Sequence, residues 1–160
     1  MPRPPAARVR PARRTDVAAL AALEARCFSC DRLSARQYRR HVGSGSAIVL
    51  AAAGDDGRLL GSAVVFLRAA SRVARLYSIA VDPSARGRGL GVILLSAAES
   101  AARRRGAAVL RLEVRQDNPA AIALYAARGY RLIGARDSYY EDGAAAWRYE
   151  RDLTGPAPRA

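Results

Sequence analysis

The chain has 160 residues, 51% hydrophobic and 26% charged, which suits one domain with its own core and leaves no room for a second. Its formal net charge is +13, and all 27 basic residues are arginine; they are spread along the chain, which favours a compositional bias over a nucleic-acid role, a partner that the charge still leaves open. The apolar runs are too short for a bilayer, and the arginine-rich start has no apolar core behind it, so we expect no membrane partner and a cytoplasmic setting.

VRPARRTD reads as a first strand that turns into a helix at Thr15 or Asp16, either of which can cap the run VAALAALEARCF, with Leu20, Leu23 and Phe28 on its buried side. Cys27 and Cys30 form a lone C-x-x-C with His41 downstream. Zinc wants four ligands and a redox pair wants to open a helix after a strand, so two ordinary reduced thiols and no metal are expected, with His41 at the surface. Ser34 caps a second short helix, ARQYRRHV. SAIVLAAA, the turn GDDG and RLLGSAVVFLRA give strand, turn and strand, and SRVARLYSIAV follows as a third strand of an antiparallel meander.

That strand ends at Asp82-Pro83 and runs through Arg86-Gly87-Arg88-Gly89-Leu90-Gly91 into a helix marked by Leu90, Ile93, Leu94, Ala97 and Ala101. Arg103 to Arg105 and Gly106 close it. A helix N-terminus with unpaired N–H groups, opened by glycines and flanked by Arg86 and Arg88, makes an anion site. It is not a P-loop, since the chain has no lysine, nor a dinucleotide fingerprint, since Val92 or Leu94 stands where the third glycine belongs.

The crossover returns to AAVLRLEVR, parallel to SRVARLYSIAV, and alternation there puts Arg111, Glu113 and Arg115 on one face. Asn118-Pro119 opens the next helix and Arg128-Gly129 closes it. YRLIGAR and AAAWRYERDL form a last hairpin, and TGPAPRA reads as a loose tail.

The R-x-x-G-x-G pattern of Arg86 to Gly91 resembles the acetyl-CoA loop of the GNAT family of N-acetyltransferases. LRLEVRQDNPAAIALYAARGY, the tyrosines after Ser138 and the closing WRYERDL extend the resemblance to RimI-type N-terminal acetyltransferases. The resemblance implies one GNAT domain over 1–153 with a flexible tail over 154–160. Its fold is α/β, with a mostly antiparallel sheet, one parallel splayed strand pair and about four helices. The cosubstrate it implies is acetyl-CoA, bound by residues 86 to 91 and by the backbone of Ile79 and Val81, with Asn118 both capping its helix and touching the pantetheine arm. Glu113 and Tyr125 match the base and acid positions, and Tyr139 and Tyr140 the border of a peptide groove. The implied acceptor is the N-terminal α-amine of a protein or peptide, acetylated by direct attack.

The residues alone leave other roles open. Glu113 reads equally as a salt bridge between its flanking arginines, Tyr125 as a core aromatic, Ile79 and Val81 as core, and Tyr139 and Tyr140 as packing at a strand end. A small-molecule amine, a lysine side chain, or a non-catalytic CoA-binding module are the alternative functions. DRLSARQYRR also resembles a segment of GNAT domains fused to a peptidase-like domain.

Overall fold

Strand-forming runs on either side of the turn at 55–58 pair as β2 (Ala47–Gly54) and β3 (Leu59–Phe66), and β4 (Val73–Val81) extends the meander. A computed structural model, which describes residues 6–155, adds β1 (Ala7–Pro11) at one edge. On the other side lie β5 (Val109–Arg115), β6 (Arg131–Arg136) and β7 (Ala146–Asp152). The sheet order is β1-β2-β3-β4-β5-β7-β6, and only β4 and β5 run parallel. The last hairpin folds back so that β7, not β6, pairs with β5. That choice follows from burial: β7 carries Ala146, Tyr149 and Arg151 inward, while β6 is almost wholly exposed.

The two faces of the sheet carry separate cores. On one face α3 (Leu90–Arg104) and α4 (Pro119–Ala127) cover Leu50, Val65, Leu76, Leu110 and Leu112. On the other, α1 (Val17–Cys27) and α2 (Ala35–His41) cover Val49, Ala51, Leu59 and Val64. This is the mixed sheet with four helices expected from the sequence. Close approach of α3 to the sheet depends on Gly61, where a Cβ would stand 2.8 Å from Leu94 Cδ1 and 3.0 Å from the Ala80 carbonyl oxygen.

Several local expectations need correction. Helix α1 begins at Val17 with Asp16 at its N-cap position, but the Asp16 side chain makes no capping hydrogen bond to it. The Asp16 carboxylate instead takes Arg10 through both terminal nitrogens, at 2.7 and 3.0 Å, and the Arg13 N–H at 2.7 Å, because a forked charged pair outcompetes a neutral cap. Phe28 is half-buried at the helix end. On α3 the buried stripe is Leu90, Leu94, Leu95, Ala98, Ala101 and Ala102, which turns Ile93 outward, 38% exposed, and leaves Ala97 half-buried. His41 is half-buried, its ring 4.8 Å from Phe66, and burial lowers its imidazole. Thr154, assigned to the loose tail, donates its N–H to Asp152 Oδ1 at 2.8 Å; residues 156–160 of that tail lie outside the described residues. Ser34 does cap α2, in a reciprocal pair with Gln37.

Helix α3 is pinned from below by a buried ion pair. Glu99 Oε2 accepts from Arg151 Nη1 on β7 and, at 2.8 Å, from the hydroxyl of Tyr130, which follows α4. Glu99→Ala leaves a buried guanidinium without a counter-charge, so we expect a loss of about 3–5 kcal/mol in urea unfolding. A loss under about 1 kcal/mol would mean that Arg151 finds water or another partner.

Candidate functional site

The site begins as a gap in the sheet. β4 and β5 pair only from Val73 to Leu76 against Val109 to Leu112, and beyond that point they separate. A bulge on β4 accompanies the parting: Val65 opposes Leu76 but Val64 opposes Ser78, so Tyr77 is the extra residue. The bulge shifts the alternation, so that Ala74 and Leu76 before it and Ile79 and Val81 after it all pack on the α3 side. The Asp82 N–H donates to the Leu60 carbonyl at 2.8 Å. Alternation along the ladder therefore turns the backbone of Ser78, Ala80 and Asp82 towards β3, and that of Ile79 and Val81 into the gap. The Val81 carbonyl already accepts from Cys27 Sγ at 3.3 Å and Arg86 Nε at 3.1 Å, which leaves its N–H as the free group.

Below the gap, Asp82 shapes the glycine loop. Its carboxylate caps the 3-10 turn at Pro83–Ala85 through the Ser84 N–H at 3.0 Å and hydroxyl at 2.7 Å, and binds Arg26 of α1 at 2.9 Å. Gly87 and Gly89 take φ of +77° and +82°, a region that favours glycine, with nothing within 4 Å of a built Cβ. Gly89 is the N-cap of α3, so the N–H groups of Leu90, Gly91 and Val92 have no intrahelical acceptor. Gly91 lies within the helix, where a Cβ would meet only Leu124 Cδ2 at 3.6 Å. Arg86 and Arg88 are exposed, each donating one nitrogen to the loop's own carbonyls and keeping the others for a ligand. Open glycines, aligned N–H groups and two guanidiniums fit a pyrophosphate.

Glu113 and Tyr125 lie on opposite faces of the sheet. Glu113 lies on the α1/α2 side of β5, immediately beyond the last paired residue. Its partners are not the flanking arginines but cross-strand ones: Arg75 Nε stands 3.0 Å from Oε2, and Arg148 Nε 3.9 Å from Oε1. Residues two apart on a strand are farther from each other than neighbours across the ladder, so Arg111 turns to Glu150 opposite it, while Arg115, at the end of β5, turns to Asp117 and Asp142 in the adjoining loops. Tyr125 sits in the α3/α4 core, edge-on to Tyr130 at 5.6 Å. Burial pushes its phenol up to about 12, so it holds its proton at neutral pH.

Tyr139 and Tyr140 stand at the rim, with centroids 4.9 Å apart and rings nearly perpendicular. Arg75 donates to the Tyr139 hydroxyl, and Arg115 lies 5.0 Å over the Tyr140 ring. Burial, then Tyr139 and Glu113, push the Tyr140 phenol up. Across the rim the Glu141 N–H donates to Asp31 Oδ2 at 3.1 Å, which joins this turn to the α1–α2 linker. Asn118 caps α4 through the Ala121 N–H at 3.1 Å. Among the described residues no three His, Cys, Asp or Glu side chains gather as a metal group, and no helix is long and apolar enough to cross a membrane.

A gap above a glycine-opened helix start is the geometry that the resemblance implied. Residues 17–130 match the acetyltransferase (GNAT) family. The chain belongs to the GNAT family. Among its GNAT relatives, the N-alpha-acetyltransferase RimI of Mycobacterium tuberculosis is 42% identical over 83 residues, 51% of each chain. Streptothricin acetyltransferase of Streptomyces lavendulae is 35% identical over 107 residues, 67% of this chain and 57% of that one. The chain thus spans about half the length of the curated relatives it matches. The crystal structure of the ribosomal-protein-S18-alanine N-acetyltransferase from Escherichia coli superposes with a TM-score of 0.82 at 27% identity, covering 96% of this chain and 98% of that one.

Sequence reasoning missed four features around this candidate site: Asp82, Arg75, Glu24 and the bulge at Tyr77. Asp82-Pro83 carried the same capping signal as Asn118-Pro119 and was legible. Glu24, buried in α1, accepts from the Tyr38 hydroxyl at 2.8 Å, the Leu33 N–H at 3.2 Å and the Ser78 hydroxyl at 3.2 Å, tying both helices to the bulge. Its partners lie 9 to 54 residues away, beyond any local pattern.

The Ser84 N–H and hydroxyl, then Arg26, hold the Asp82 carboxyl down at about 2. The native value lies below the unfolded one of about 3.9, so its contribution is present above pH 4 and lost as pH falls towards 2. Asp82→Asn should lose less stability than the wild type across that interval in urea titrations. Equal slopes would remove Asp82 from the acid response.

Proposed function

We propose that this chain is an acetyl-CoA-dependent N-acetyltransferase that acts on the N-terminal α-amine of a protein or peptide, in a ternary complex and in the cytoplasm. The observation that carries the reading is the parting of β4 from β5 beside a glycine-opened helix start, with the Glu113 carboxylate on one face of the sheet and the Tyr125 phenol in the core of the other. The loop from Arg86 to Gly91 binds the pyrophosphate, and the backbone of Ile79 and Val81 with Asn118 guides the pantetheine arm through the gap. The acceptor nitrogen attacks the thioester carbonyl and forms the N–C bond. Glu113 takes the proton that the amine loses, directly or through water, while the C–S bond breaks and Tyr125 gives its proton to the departing thiolate. No covalent enzyme intermediate is needed.

The acceptor lies on the Glu113 face, bordered by Tyr139 and Tyr140, where a small first residue fits best against two rings. Similarity to RimI and to the S18-alanine enzyme supports an N-terminus. The longer match to streptothricin acetyltransferase favours a second reading, a small-molecule amine.

Glu113→Gln and Tyr125→Phe should each lower turnover ~100-fold or more, since each removes a proton-transfer group, and leave acetyl-CoA affinity close to wild type. Steady-state release of CoA thiol and calorimetry check the two halves. Unchanged turnover in both variants returns these side chains to an ion pair and a core ring.

The acceptor is tested with short peptides beginning with Ala, Ser, Met or Lys, each free or blocked at the α-amine, beside polyamines, aminoglycosides and free amino acids. Turnover confined to free N-termini is expected. Turnover only on a small amine, or only on lysine in blocked peptides, overturns the peptide assignment.

A further inference from the structure

Arg75 stands at a junction that the proposed chemistry does not use. It is next to Leu76, the last residue of β4 paired with β5, and its guanidinium spans what the ladder no longer holds. One nitrogen, Nε, donates to Glu113 Oε2 at 3.0 Å on β5, and another, Nη2, donates to the Tyr139 hydroxyl in the β6–β7 turn. Its flank lies 5.7 Å from the Tyr77 ring at the bulge. One planar group thus joins three parts of the rim: β5, the β6–β7 turn and the bulge. The side chain is 42% exposed, so these contacts add little to stability, and a fork held between two site members matters chiefly for where they stand.

The two oxygens of Glu113 are consequently unequal. Oε2 is hydrogen-bonded to Arg75, whereas Arg148 Nε, the group facing Oε1, is 3.9 Å away and outside hydrogen-bond reach. We infer that Arg75 is a positioning residue that fixes Glu113 through Oε2 and Tyr139 through its hydroxyl, leaving Oε1 as the oxygen that takes the proton of the acceptor amine. The inference rests on Glu113 acting as the base. It couples the groove wall to that base, because moving Tyr139 moves the guanidinium that orients the carboxylate. Lysine has the charge of Arg75 but not a rigid pair of donors at this spacing.

The experiment compares wild type, Arg75→Gln, Arg75→Lys, Glu113→Gln and the double variant Arg75→Gln/Glu113→Gln. The acceptor is a peptide with a free N-terminal Ala or, without turnover there, the fastest acceptor of the panel. Arg75→Gln is expected to lower kcat about 10-fold, less than removing the base itself, and to raise acceptor KM with acetyl-CoA KM unchanged. Arg75→Lys should recover little of kcat, and Arg75→Gln should cost nothing more once Glu113 is Gln. Thermal unfolding of each single variant should match wild type. Wild-type kcat in Arg75→Gln or Arg75→Lys, or a full further loss in the double variant, overturns the positioning role while a slow Glu113→Gln keeps the base assignment. Wild-type turnover in Glu113→Gln sinks the base assignment, and the role of Arg75 with it.

Discussion

The parting of β4 from β5 is the constraint on which the rest depends. The extra residue at Tyr77 shifts the register of β4 against β3, and the parallel pairing of β4 with β5 stops at Leu76 while β5 goes on pairing with β7 to Arg115. Every backbone group released by the parting then needs another partner. The Val81 carbonyl finds Cys27 and Arg86, and Arg75 bridges to Glu113, so side chains take over where the ladder stops. The backbone of Ile79 and the N–H of Val81 are left facing the gap, the kind of edge an amide-bearing chain can join.

Holding such a gap open requires stiffness around it, and the buried polar groups are distributed accordingly. Glu24 fastens α1 and the α1–α2 linker to the bulge from above, and Glu99 with Arg151 and Tyr130 fastens α3 and the end of α4 from below. Asp82 ties the glycine loop to α1. Each is a carboxylate satisfied by several donors, which is how a buried charge is tolerated. The arginine excess has a local use here: carboxylates at the site meet forked donors that engage more than one partner, as Arg115 does with Asp117 and Asp142.

Much of the fold was legible because its signals are local. The GDDG turn, the Ser34 and Asn118 caps and the glycines closing α3 and α4 lie where the elements change direction. Alternation in VLRLEVR placed Glu113 correctly on the polar face of a central strand. What the chain did not reveal depends on strand neighbours distant in sequence. Glu113 and Arg75 are 38 residues apart, and Tyr139 and Arg75 are 64, so a reading confined to adjacent residues paired Glu113 with the wrong arginines. The same limit explains Ile93, whose spacing fits a helix face but whose exposure depends on how α3 is rotated against Gly61.

The two faces also divide the chemistry in a way that their residues dictate. On the α3/α4 side, Tyr125 lies among apolar neighbours, and desolvation pushes its phenol further above the ordinary value. On the α1/α2 side, Glu113 is surrounded by Arg75, Arg148 and two phenols, an environment that keeps a carboxylate oriented and leaves one oxygen free. The proposed acid, Tyr125, and the proposed base, Glu113, thus have the opposite surroundings that such a pair needs. The sheet supplies both surroundings, because α3 and α4 cover one of its faces and α1 and α2 the other.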